Sequence, residues 1–163
     1  MKLTAERNLK VNYYEKEKGK NIWIVVSQMI EEQHDIAVTT EIDMEQMIIL
    51  DAKISFNCYP LNYCKAIESL AASLAGIKID KHFSYNIMKV FLCPEGCPNV
   101  MTLLNIAIPG IIYYYYPYKI KTGEITQEQF YELLKENEKN ACLAHTIMFA
   151  EDKKTMKANV IYN

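Results

Sequence analysis

The stretch that decides the fold runs Ile36-Ala37-Val38-Thr39-Thr40-Glu41-Ile42-Asp43 and, after Met44-Glu45-Gln46, continues as Ile48-Ile49-Leu50-Asp51-Ala52-Lys53-Ile54-Ser55-Phe56. In its first half Ile36, Val38, Thr40 and Ile42 alternate with the more polar Thr39, Glu41 and Asp43, the period of a half-buried strand. In its second half Ile48, Leu50, Ala52, Ile54 and Phe56 are expected on one face and Asp51, Lys53 and Ser55 on the other. So short a connection between two such runs implies antiparallel pairing. If the strand reaches Cys58, parity turns that residue inward.

Upstream, Leu9–Glu15 and Asn21–Met29 collect β-branched and aromatic residues (Val11, Tyr13, Ile22, Trp23, Ile24, Val25, Val26) without helical spacing. Two further strands are expected there. Downstream of Pro60 the period becomes helical. Ala66, Ile67, Leu70, Ala71 and Leu74 share a face of a helix over Asn62–Ala75, which Gly76 stops. A second helix, Lys81–Leu92, stacks Phe83, Ile87, Val90 and Phe91; a third opens at Pro98, a favoured first helical residue. Thr126 and Gln129 form a capping box for a fourth, which carries Phe130, Leu133 and Leu134. The fold class is α+β: an N-terminal antiparallel meander of three to four strands, covered on one face by about four helices.

At 163 residues, half of them apolar, the chain suffices for one hydrophobic core, and a single domain over 1–163 is expected. Eighteen basic residues against twenty acidic ones, without a basic stripe, supply no footprint for nucleic acid. No stretch is apolar enough to cross a bilayer; Val100–Tyr116, broken by Asn105 and Pro109-Gly110, reads as buried core. Five cysteines behind a polar N-terminus fit a reducing compartment, with the cytoplasm as the expected location.

Two cysteines stand out. Cys64 falls in the first turn of the Asn62 helix and Cys97 immediately before Pro98, so both are expected at the positive end of a helix dipole. That setting suits a nucleophilic thiol or a soft-metal ligand. The ordinary reading beside it is that free cysteines are small buried hydrophobes. Cys93-Pro94-Glu95-Gly96-Cys97 adds a C-x-x-x-C loop in which Gly96 can adopt a left-handed conformation, though neither this spacing nor Cys58…Cys64 matches a structural zinc knuckle. His34-Asp35, in the polar break before the meander, is either a solvated turn or a metal ligand with its carboxylate partner. His82 and His145 lack such a context, Tyr113–Tyr116 reads as core and rim packing, and Lys135–Lys139 reads as a solvated helix end.

Taken together, His34-Asp35 before a strand, Pro60-x-x-x-Cys64 after it, Leu74-Ala75-Gly76, and Gly96-Cys97 opening a helix resemble the uncharacterised bacterial family called domain of unknown function 2889. The resemblance covers about Asn21–Ile112, with an echo at Ala141-Cys142. This chain has Leu61 where the family pattern has Tyr, and Asn99 where it has His. At the level of topology the order of features is also similar to iron-sulfur cluster scaffolds of the NifU type. That resemblance implies Cys64 and Cys97 as two of three ligand cysteines, with His34 where the first is expected and Asp35 near the scaffold's Asp. A mixed nitrogen, sulfur and oxygen set suits a single zinc or iron better than a labile cluster.

Three functions stay open on these residues. The first is a metal-binding domain with His34, Cys64 and Cys97 as ligands and Asp35 as ligand or support. The second is a thiol-dependent enzyme with Cys97 or Cys64 as nucleophile and His34 as base. The third is a non-catalytic interaction protein in which Ile111–Tyr118 forms a contact with a protein partner or a second copy.

Overall fold

The computed structural model describes residues 2–138 and 142–150; Lys139 and Ala141, named above, lie outside them. Four strands form one antiparallel sheet in sequence order: β1 Arg7–Glu15, β2 Ile22–Glu31, β3 Asp35–Asp43 and β4 Ile48–Cys58. After them come a 3-10 helix at Asn62–Leu74 and the helices α1 Phe83–Phe91, α2 Pro98–Ala107, α3 Ile112–Thr122, α4 Gln127–Glu138 and α5 Leu143–Ala150, with a short 3-10 turn at Pro109–Ile111. The α+β class, meander first and helices after, is thus the observed architecture.

The residues group into two compact units, Met1–Tyr115 and Tyr116–Asn163. In the first, α2 packs against β2 and β3, the 3-10 helix packs against β4, and α1 packs against both helices. The buried sheet face consists of Trp23, Val25 and Met29 from β2, Ile36, Val38 and Ile42 from β3, and Ile49, Ile54 and Phe56 from β4. Phe83, Ile87 and Phe91 of α1 and Val100, Leu103 and Leu104 of α2 complete this core, each large side chain contributing about 1.5–3 kcal/mol by leaving water. The second unit has its own smaller core of Phe130, Leu134 and Phe149, flanked by Tyr116, Ile120 and Tyr131.

β3 keeps the alternation its sequence predicts, with Ile36, Val38, Thr40 and Ile42 all buried. β4 departs from it twice. Glu41 pairs with Asp51 but Ile42 pairs with Ile49, so Leu50 is an extra residue that bulges out. Parity therefore flips: Ile49 is buried and Leu50 is exposed, opposite to the expected facing of Ile48 and Leu50. A second shift makes Asn57 extra, because Ile36 pairs with Phe56 and Asp35 with Cys58. Cys58 is consequently exposed rather than turned inward.

The helical run after Pro60 winds as 3-10 rather than α, and it buries only Ala71 and Leu74 fully. Gly76, at φ +85°, ends it in the left-handed region that favours glycine. The capping box at Thr126 forms as expected: Gln129 N–H donates to Thr126 Oγ1 at 3.2 Å, and Thr126 N–H donates to Gln129 Oε1 at 2.8 Å.

Candidate functional site

The β2–β3 hairpin closes at Glu31–His34, where the Glu31 N–H donates to His34 O at 2.8 Å and the His34 N–H to Glu31 O at 3.3 Å. The side chains repeat the pairing, with His34 Nδ1 2.5 Å from Glu31 Oε1. From β1, Arg7 stands opposite Glu31 and donates through Nε to its Oε2 at 2.5 Å. The hydrogen bond from Arg7, followed by that from His34, holds the Glu31 carboxyl below the usual carboxylate range. An ionised carboxylate only accepts, so Nδ1 is the donating nitrogen and a neutral His34 ring keeps its lone pair on Nε2. That is the arrangement by which carboxylates orient metal-ligating or proton-accepting imidazoles.

Asp35, the next residue, is committed elsewhere. Gln28 Nε2 donates to its Oδ1 at 2.8 Å and Asn57 Nδ2 to its Oδ2 at 3.2 Å. With both oxygens occupied by amides, Asp35 acts as a fixed carboxylate tying the ends of β2, β3 and β4 together. Its cross-strand neighbour is the exposed Cys58.

Cys64 sits half-exposed in the first turn of the 3-10 helix, its N–H bonded to Leu61 O at 2.9 Å. This helix lies along the end of β4, because Glu68 Oε1 accepts the Phe56 N–H at 2.9 Å. Cys97 is the N-cap of α2, extended at φ −137° and ψ 114°, with Pro98 in the first turn and no side-chain capping bond. At the other end of α2 the Ala107 carbonyl accepts the Tyr13 hydroxyl at 2.8 Å. Cys97 therefore lies one helix length, ~15 Å, from that anchor; from Tyr13 back to Arg7, beside the β2–β3 turn, β1 covers ~20 Å.

Among the described residues, no three His, Cys, Asp or Glu side chains form a group able to hold a metal ion. Of the four residues singled out, His34 and Asp35 adjoin at the β2–β3 turn, Cys64 lies in the first turn of the 3-10 helix and Cys97 caps α2. Glu31 takes one nitrogen of His34, and Gln28 and Asn57 take both oxygens of Asp35. The C-x-x-x-C loop is a different object from the one expected. Gly96 N–H bonds to Cys93 O at 2.9 Å, and the Cys93 thiol donates to Val90 O at 3.2 Å. Gly96 is not left-handed; a Cβ there would overlap the carbonyl group of Phe91 and lie 2.6 Å from its Cα. Its smallness lets the loop lie against the end of α1.

Arg7, Gln28, Glu31 and Asn57 belong to this cluster without standing out in the sequence. Glu31-x-x-His34 was a legible signal, since residues at either end of a tight hairpin face each other. Arg7 and Asn57 come from flanking strands and depend on register.

A family model described as Protein of unknown function (DUF2889) matches residues 6–109. The chain belongs to this family. No curated protein and no solved structure matches it. The DUF2889 span takes in all four strands, the 3-10 helix, α1 and α2, and with them His34, Asp35, Cys64 and Cys97. Cys142 and the second unit fall outside the DUF2889 match. Among the described residues no helix is long and apolar enough to cross a membrane.

Proposed function

We propose that this protein is a metal-binding domain whose working end is the β2–β3 turn, with His34 Nε2, Cys64 and Cys97 as ligands, Glu31 orienting the ring, and Asp35 in support by fixing the strand ends beside it. The observation that carries the reading is the Glu31–His34 contact, which fixes the ring through Nδ1 and leaves the other nitrogen for an ion. An imidazole and two thiolates are a donor set for zinc or iron. Cys64 lies in a helix adjoining the same end of the sheet, and Cys97 heads the helix that packs on β2 and β3.

Capture of an ion requires the two thiols to close on the imidazole. Cys64 is carried by thirteen residues of 3-10 helix, a form seldom sustained beyond one turn and a common site of rearrangement. The test is the metal content of the full chain purified under reducing conditions. A stoichiometric zinc or iron ion is expected, lost in His34→Ala, Cys64→Ala and Cys97→Ala. A protein that arrives metal-free and takes up neither ion on titration would remove the reading.

One observation favours thiol chemistry as the second reading: Cys97 caps α2 without spending its side chain on the cap. Alkylation at neutral pH separates the two. A nucleophilic Cys97 reacts well ahead of the other four cysteines with or without chelator, whereas a ligand Cys97 reacts only after the chelator is added.

A further inference from the structure

The two edges of the sheet are treated differently by the chain. Along β4, Ile49 exchanges backbone bonds with the passing segment at Gly76 and Ile77, at 2.8 and 3.0 Å, and Glu68 caps the Phe56 N–H. Two bulges break that edge further. β1, at the opposite edge, pairs with β2 over nine residues without a register shift and contains no proline. A long, straight, unbulged edge is a template for another strand.

Which backbone groups of β1 face outward follows from the ladder. Lys16 N–H donates to Ile22 O at 2.8 Å, and Lys16–Ile22 continues the β1–β2 register, so even-numbered residues of β1 bond to β2. The odd residues Arg7, Leu9, Val11 and Tyr13 then present their N–H and C=O to the open side. Among the described residues, no backbone hydrogen bond reaches those groups of Arg7, Leu9, Val11 or Tyr13. The same odd side chains continue the apolar face, opposite Met29, Ser27 and Val25, yet Leu9 stays 45% exposed and Val11 only half-buried.

We infer that two copies of this chain join edge to edge through β1, antiparallel, with Val11 on the two-fold axis. In that register Arg7 faces Glu15 of the second copy, Leu9 faces Tyr13, and Val11 faces Val11. All three are odd-numbered pairs, as the outward groups require. Outside the strand Glu6 falls opposite Lys16; Arg7 and Lys16 are each paired within their own copy, with Glu31 and Glu41, and each end of the joint adds a second acidic residue facing a basic one. On the solvent face Lys10 meets Asn12 and Asn8 meets Tyr14, and no like charges are opposed. A two-fold joint needs a patch complementary to itself, and this nine-residue sequence is so about its central residue. Slipping by two residues shortens the overlap and takes Val11 off the axis.

Sedimentation of the full chain at micromolar concentration tests this. The wild type is expected at twice the chain mass. Val11→Lys puts two ammonium groups on the axis and should weaken association by about tenfold or more, with the circular dichroism and melting of the protomer kept. Should that variant not fold, Lys10→Cys with Asn12→Cys reads the register from the solvent face. Those positions form a non-hydrogen-bonded pair, ~4.5 Å between Cα atoms, within disulfide reach. Mild oxidation should link position 10 of one copy to position 12 of the other, identified by mass spectrometry of the joined peptides. A monomeric wild type, a dimer indifferent to Val11→Lys, or no link between positions 10 and 12 would each overturn the inference.

Discussion

His34 and Glu31 grip each other twice, by a pair of backbone hydrogen bonds that closes the β2–β3 hairpin and by a 2.5 Å contact between Nδ1 and Oε1. Arg7 fastens the same carboxylate from the neighbouring strand. One acidic side chain thus aligns an imidazole and ties down the start of β1.

The Glu31 carboxyl gives the first prediction. Its folded pKa is held below the ordinary value by Arg7 first and His34 second. A depressed carboxyl contributes stability that is present above the unfolded pKa and is lost as pH falls through the folded one. Arg7→Ala should raise the Glu31 titration toward 4.5, the ordinary value, as followed by the side-chain carboxyl carbon in NMR. An unmoved titration would show that the guanidinium does not set it.

Tyr13 gives the opposite sign at the other end of the pH scale. Its hydroxyl donates to Ala107 O, its ring stacks on Tyr114 at 4.4 Å, and burial, with the neighbouring Tyr114 phenol next, pushes its pKa up to about 12 from 10.0. The folded state favours the neutral phenol, so this contribution is complete below pH 10.0 and fades as pH climbs toward about 12. Tyr13→Phe keeps the ring but leaves the Ala107 carbonyl without this donor. Its melting temperature should lie below that of the wild type at neutral pH, and the gap should narrow across the alkaline window.

What the sequence made legible was set locally. Alternation in β3, Pro98 at the start of α2, Gly76 after the 3-10 helix and the Thr126–Gln129 box each depend on residues a few positions apart, and each appears as expected. The facing of β4 did not follow, because Leu50 and Asn57 are extra residues whose displacement is defined only by pairing with β3. One bulge exchanged Ile49 for Leu50 in the core, and the other exposed Cys58. Around the candidate site, His34 and Asp35 could be singled out from sequence. Their actual partners could not all be: Glu31 is three residues away, whereas Arg7 and Asn57 are brought in by strand register.

The capping box offers a prediction confined to the second unit. Thr126 Oγ1 satisfies the N–H of Gln129, and α4 then carries Phe130 and Leu134 into that unit's core. Thr126→Ala should cost about 1 kcal/mol in the stability of this unit. Hydrogen exchange of the Gln129 and Phe130 amides should accelerate, while amides of the β-sheet keep their protection.

Gly96 gives the most severe single-residue prediction. A methyl group there would run into the carbonyl of Phe91, which is backbone at the end of α1 and lies beside a fully buried ring. Neither a rotamer change nor a flexible tip can relieve the overlap. Gly96→Ala should therefore push the Cys93–Cys97 loop off α1 and destabilise the first unit by about 2–3 kcal/mol. Gly19, at a positive φ with open space where a Cβ would stand, is the control that separates the two roles of glycine. Gly19→Ala should cost only the ~1 kcal/mol of an unfavourable backbone conformation. Denaturant midpoints of the two variants decide it, since equal losses would mean that the loop gives way to the methyl group and that close packing at Phe91 is not what position 96 requires.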